Sequence, residues 1–160
     1  MRHVNETFFP ESIDTAKLNM CQRIIIDGDD GSGKTPLAHK IADAVGAKVI
    51  SLDEYLSGDG RPYWEQIDYE SLKNDILSGG KKVVIEGICA LKVLGKISVG
   101  HDHHIFTKRA MFGKPAYDEY LDERIPLPKS KTARDVVLYY REFKPFDRCN
   151  ETQTLYIDVE

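Results

Sequence analysis

The chain has no long apolar run, little cysteine and no marked excess of either charge, and each shortage narrows what the protein can be. No stretch comes near the roughly eighteen consecutive apolar residues that a membrane-spanning helix needs, and the first residues do not read as a secretory leader. Three cysteines, Cys21, Cys89 and Cys149, are odd in number and far apart, which argues against a disulfide framework and against a zinc site of paired spacing. A reducing, cytoplasmic setting is the expectation, and the N-x-T triplets at Asn5 and Asn150 are then coincidental. With 22 Lys and Arg against 26 Asp and Glu, the net charge is −4 and both signs are mixed along the chain, so no basic stripe marks a nucleic-acid partner. The sequence also lacks internal repeats and low-complexity tracts. Its 160 residues suit one domain, burying roughly 70% of the unfolded surface.

What is present is an alternation of short apolar strands and amphipathic helices. Ile24, Ile25 and Ile26 form one strand run, Lys48 to Leu52 a second, Lys82 to Ile85 a third, His104 to Phe106 a fourth and Thr154 to Val159 a last. After the first strand, Leu37, Ile41, Ala44 and Val45 fall on one helical face. A helix is predicted from Tyr69 to Ser78, with Asp68 as N-cap and Gly79 as stop, and another from Ala133 to about Phe143 behind an N-capping Thr132. This order predicts an α/β fold whose parallel sheet has about five strands flanked by helices. Residues 1 to 21 read as an N-terminal surface extension to a domain over 22 to 160. The polar, proline-interrupted stretch from 109 to 134 reads as a mobile cover.

Between the first strand and its helix, Gly28, Asp29, Asp30, Gly31, Ser32, Gly33, Lys34 and Thr35 match the phosphate-loop pattern G-x-x-x-x-G-K-[ST] at every position. The glycines let successive backbone N–H groups point at phosphate oxygens, and the helix that follows adds the positive end of its dipole. Lys34 is expected on the β- and γ-phosphates of a nucleoside triphosphate and Thr35 on the magnesium ion that bridges them. Pro36 sits in the first helical turn, where a missing N–H does little harm. A calcium-loop reading of Asp27 and Asp29 fails, because Ser32 stands at the obligatory glycine and Ala38 where a bidentate glutamate is needed. His101, His103 and His104 alternate faces on a strand and do not converge on one metal ion.

Ligands in open α/β sheets bind beyond the carboxyl ends of the strands, which singles out Asp53 after the second strand and Glu86 at the end of the third. The phosphate loop, then Ser51-Leu52-Asp53-Glu54-Tyr55, then Val84-Ile85-Glu86-Gly87-Ile88, in this order, resembles the uridine kinase and phosphoribulokinase-like branch of P-loop small-molecule kinases. The resemblance implies a sheet of order 2-3-1-4-5, ATP and magnesium as cofactors, and phosphoryl transfer to a hydroxyl of a nucleoside, a vitamin riboside or a sugar-like metabolite. It assigns Asp53 as the base that takes the acceptor's proton, and Thr35, Glu86 and Asp53 as the protein groups around the metal. Ala133, Arg134 and Asp135, with Tyr140, Lys144 and Pro145 beyond, resemble the family's lid helix and the run after it, which implies Arg134 as a lid cation. Tyr55, Tyr63 and Trp64 are the candidates for acceptor contact, Tyr63 and Trp64 serving equally well as packing.

Two other readings share the phosphate loop. A thymidylate-type nucleoside monophosphate kinase would carry a D-R-[YH] run at the third strand's end, which is absent. A regulatory nucleotide-binding NTPase would carry N-K-x-D or a D-x-x-G switch in place, also absent.

Overall fold

The computed structural model describes residues 13–78, 82–111, 114–115 and 121–157. Gly79, the expected helix stop, lies outside the described residues, as do residues 1–12 of the extension, 112–113 and 116–120 of the cover, and the last two residues of the expected final strand.

The isoleucine run becomes β1 (Arg23–Gly28), the centre of the sheet. It is apolar on both faces because helices cover both. Ile25 packs with Ile50, Ile85 and Phe106 on one side, while Ile24 and Ile26 pack with Val84 and Ile105 on the other. Parallel pairing joins β1 to β3 (Val83–Glu86) and to β4 (His103–Met111), and β2 (Lys48–Ser51) to β3. On the free edge of β4 lies β6 (Glu151–Ile157), also parallel. The five parallel strands therefore run β2-β3-β1-β4-β6, the expected 2-3-1-4-5 order. A two-residue antiparallel strand, β5 (Lys114–Pro115), pairs with the far end of β4.

Helices α1 (Thr15–Asn19) and α2 (Lys34–Val45) cover the face of Ile24 and Ile26. The opposite face carries α3 (Tyr69–Leu77), α4 (Ala90–Gly95) and α5 (Lys131–Phe143), followed by the short α6 (Pro145–Arg148). Neighbouring strands β1 and β3 thus send their next helices to opposite faces. A crevice opens between their carboxyl ends at such a point.

Several boundaries differ from expectation. The segment ahead of β1 is more than surface, since Leu18 of α1 and Cys21 enter the core beneath α2. On α2, Ala38 and Ala42 are buried, while Ala44 is exposed. The fourth strand runs on to Met111 although Thr107, Lys108 and Arg109 are polar, because β6 supplies a complete ladder along that edge. Residues 109–111 are therefore strand rather than cover. The last strand begins at Glu151 rather than Thr154. Helix α5 begins at Lys131 with Ser130 as its N-cap, so Thr132 is inside the helix instead of capping it. Asp68 does cap α3, accepting from the Ser71 N–H at 3.1 Å.

Two glycines permit close backbone approach. At Gly28, φ is 149° and an added Cβ would stand 2.1 Å from the Thr107 carbonyl oxygen. At Gly87 it would stand 2.7 Å from the Leu52 Cβ. Gly95, by contrast, has open space around it. Gly28→Ala is expected to lower stability by about 3 kcal/mol or to block folding, whereas Gly95→Ala stays within about 1 kcal/mol of the parent, as urea unfolding would measure.

Candidate active site

The phosphate loop leaves β1 at Gly28 and enters α2 through Gly33, whose φ of 81° puts it in the left-handed region open to glycine. No side chain caps α2. The amides of Lys34 and Thr35 at its start have no carbonyl behind them within the helix, leaving donors for an anion. The loop is held from below by β4: Asp29 N–H donates to the Thr107 carbonyl at 3.3 Å, and the Ser32 and Thr107 hydroxyls meet at 2.6 Å.

Lys34 is only 8% exposed, and its Nζ donates to the Asp29 carbonyl. Burial pushes its pKa down, opposed by Asp27, Glu86, Asp30 and Asp29. Asp29 is itself raised by burial, opposed by the Tyr140 hydroxyl that donates to its Oδ1.

Above the loop is a cleft of about 630 Å³ lined by residues 30–36 together with Asp53, Leu56, Tyr63, Glu86, Gly87, Ile88 and Thr132. The cleft brings together Lys34, Thr35, Asp53 and Glu86. Glu86 is buried at the end of β3, and its Oε1 accepts from Thr35 Oγ1 at 3.1 Å and from Ser51 Oγ at 2.5 Å. Two hydroxyls and a carboxylate converging at one point form an all-oxygen donor set, the chemistry that suits Mg²⁺. Ser51 is therefore part of this corner of the site, as the serine of the Ser51-Leu52-Asp53 run could have signalled. Asp53 lies on a 3₁₀ turn (Leu52–Tyr55) after β2, exposed at the cleft, with Oδ1 accepting from the Tyr63 hydroxyl at 2.8 Å.

The aromatic candidates separate. Tyr63 lines the cleft, whereas Trp64 is packed in the core beneath the Lys92 ammonium, 4.0 Å from the ring centroid, and does not line it. Tyr55 turns its hydroxyl to Asp75 at 2.5 Å, away from the cleft lining. Arg134 is exposed near the start of α5 and lies outside the lining as well.

Sequence reasoning missed the support beneath the loop. Asp27, fully buried at the end of β1, accepts from the Gly28 N–H at 2.9 Å and the Tyr139 hydroxyl at 2.5 Å, with His104 Nε2 3.5 Å away. A second depression of about 230 Å³ lies across Asp29 and Asp30, lined by Arg109 and by Ala133, Val136, Val137 and Tyr140 of α5. The Arg109 Nε there is buried and finds no hydrogen-bond partner among the described residues.

No family model matches the sequence, and no curated protein matches it. In three dimensions the chain is similar to a possible uridine kinase from Bacillus stearothermophilus, with 15% identity, 81% of this chain and 86% of that one covered, and a TM-score of 0.54. It is also similar to shikimate kinase from Acinetobacter baumannii in complex with shikimate, with 12% identity, 86% of each chain covered and a TM-score of 0.50. At such identities the likeness is one of fold alone.

Removing the Tyr139 hydroxyl would leave the buried Asp27 carboxylate short of a donor. Tyr139→Phe is expected to lower stability by about 2 kcal/mol in urea unfolding, well beyond the effect of an exposed substitution such as Leu138→Ala.

Proposed function

We propose that the protein is an ATP- and magnesium-dependent kinase that phosphorylates a hydroxyl of a small molecule, a nucleoside, a vitamin riboside or a sugar-like metabolite. The observation that carries this reading is the single cleft shared by the phosphate loop, Lys34, Thr35, Asp53 and Glu86. Lys34 and the loop amides bind and neutralise the triphosphate. Thr35 and Glu86, with Asp53 close by, would hold magnesium, which supplies charge neutralisation at the bridged phosphates. Asp53 takes the proton of the acceptor hydroxyl while its oxygen bonds the γ-phosphorus. The bond from that phosphorus to the β–γ bridging oxygen breaks, and ADP leaves with the electron pair. Arg134, two residues beyond the cleft-lining Thr132, is our choice for a cation that reaches the transferred group on closure. The depression beside Arg109 suits the donor's base, since a guanidinium plane stacks on an aromatic ring.

Charge within the cleft favours an uncharged or cationic acceptor. Among the described residues Lys34 is the only cation lining it, against Asp30, Asp53 and Glu86, so a phosphate-bearing acceptor has no partner there. This weighs against a nucleoside monophosphate kinase.

The test is ADP release from ATP and magnesium across uridine, cytidine, nicotinamide riboside and ribose, with Lys34→Ala as control. One acceptor should stimulate release, and the control should abolish it. Asp53→Asn should lower kcat with that acceptor by about 10²- to 10⁴-fold with little change in the KM for ATP. Slow release indifferent to every acceptor would instead favour a regulatory NTPase, and unchanged turnover of Asp53→Asn would remove Asp53 as the base.

A further inference from the structure

We propose that Tyr63 is a positioning residue for Asp53, and that Asp135 on α5 sets Tyr63 in place for that task; the proposal rests on the kinase reading above. Tyr63 is 6% exposed, and its two donors bond in two directions. Its hydroxyl donates to Asp53 Oδ1 at 2.8 Å, and its backbone N–H donates to Asp135 Oδ2 at 3.0 Å. Asp135, also 6% exposed, is a carboxylate brought inside the protein to receive that N–H across 72 residues of chain. Such a long-range, charge-assisted bond fixes the turn that carries Tyr63 far better than the turn's own bonds to Pro62 would.

The direction of the second bond matters for chemistry. An ionised carboxylate can only accept, so the phenolic O–H of Tyr63 is the donor of the bond to Asp53. A donor fixed on Oδ1 holds the carboxylate in one rotamer and leaves Oδ2 as the oxygen that takes the acceptor's proton. Asp53 is exposed on a short turn and has no need of this bond to offset burial. Without it, the carboxylate would be free to rotate away from the attacking hydroxyl.

Helix α5 extends the same arrangement to the donor side. Tyr139 and Tyr140 donate to Asp27 and Asp29 at the base of the phosphate loop, one turn beyond Asp135. The loop that holds the donor and the turn that holds the base are thereby referred to one rigid helix.

Two measurements test the proposal. In the free protein labelled with ¹³Cζ-tyrosine, the resonance missing from Tyr63→Phe identifies Tyr63, and it should move in Asp53→Asn; a resonance that stays put overturns the proposal. With the acceptor of highest Lys34-dependent turnover from the panel above, Tyr63→Phe should lower kcat about tenfold and leave the KM for ATP unchanged. Asp135→Asn keeps an oxygen acceptor for the Tyr63 N–H and should stay within about threefold of the parent, whereas Asp135→Ala should fall to the level of Tyr63→Phe. Parental kcat in Tyr63→Phe, where Asp53→Asn has lost turnover, overturns the positioning role and leaves Asp53 as the base. Parental turnover in Asp53→Asn overturns both.

Discussion

An ammonium buried among carboxylates is the constraint from which the rest of the site follows. Lys34 must leave water to stand at the mouth of the phosphate loop, and an unpaired charge so placed would be costly. Asp27, Asp29, Asp30 and Glu86 supply the compensating field, and they come from the end of β1, the loop and the end of β3. Only parallel strands ending at one level bring those groups together. The carboxylates then need partners of their own. Asp27 finds Tyr139 and the Gly28 N–H, Asp29 finds Tyr140, and Glu86 finds Thr35 and Ser51. Satisfying one lysine thus recruits both faces of the sheet.

The loop and the two acids after the strand runs were legible in the sequence because each is local, whereas the strand order, which joins distant segments, came only from the family resemblance. Strand, glycine-rich turn and helix occupy contiguous residues, and a carboxylate closing an apolar run marks where a strand leaves the core. Boundaries were less legible where hydropathy and pairing disagree. The fourth strand read as ending at Phe106 and the cover as starting at Arg109, yet the backbone of Thr107 to Arg109 completes a ladder with β6, and the Thr107 hydroxyl and the Arg109 N–H bond to Ser32 and Asp29 of the loop. Thr132 reads as a cap, but the helix starts two residues earlier than expected, at Lys131, and Thr132 lines the cleft from its first turn.

Helix α5 was the part the sequence concealed. Val136, Val137, Tyr140 and Phe143 recur at helical spacing, so Tyr140 read as apolar filling, and Tyr139 drew no reading. Their rings do fill the core, with Phe106 and Phe146 against Tyr140, while their hydroxyls reach through it to Asp27 and Asp29 more than 100 residues away. A tyrosine carries an apolar body and a polar tip, and periodicity registers only the body. Trp64 is the converse case. Flanked by polar residues it read equally as a stacking surface, but its ring is needed in the core beside α4.

Charge then decides what such a site will accept. Among the described residues the cleft lining is acidic apart from Lys34, so on the proposed reading it would by itself repel a triphosphate everywhere but at Lys34 and the helix start. On the reading proposed above, a divalent cation held by Thr35 and Glu86 would reverse that local balance and make metal and donor a joint requirement. On the same reading the negative field of Asp53 would stay in place on the acceptor side, with the Tyr63 hydroxyl donating to one of its oxygens. A carboxylate or phosphate on the acceptor would meet repulsion with no compensating contact, whereas a neutral hydroxyl or a cationic ring would not. Discrimination of this kind would need no tailored pocket, only Asp53 together with Asp30 and Glu86, two carboxylates that the buried lysine already requires.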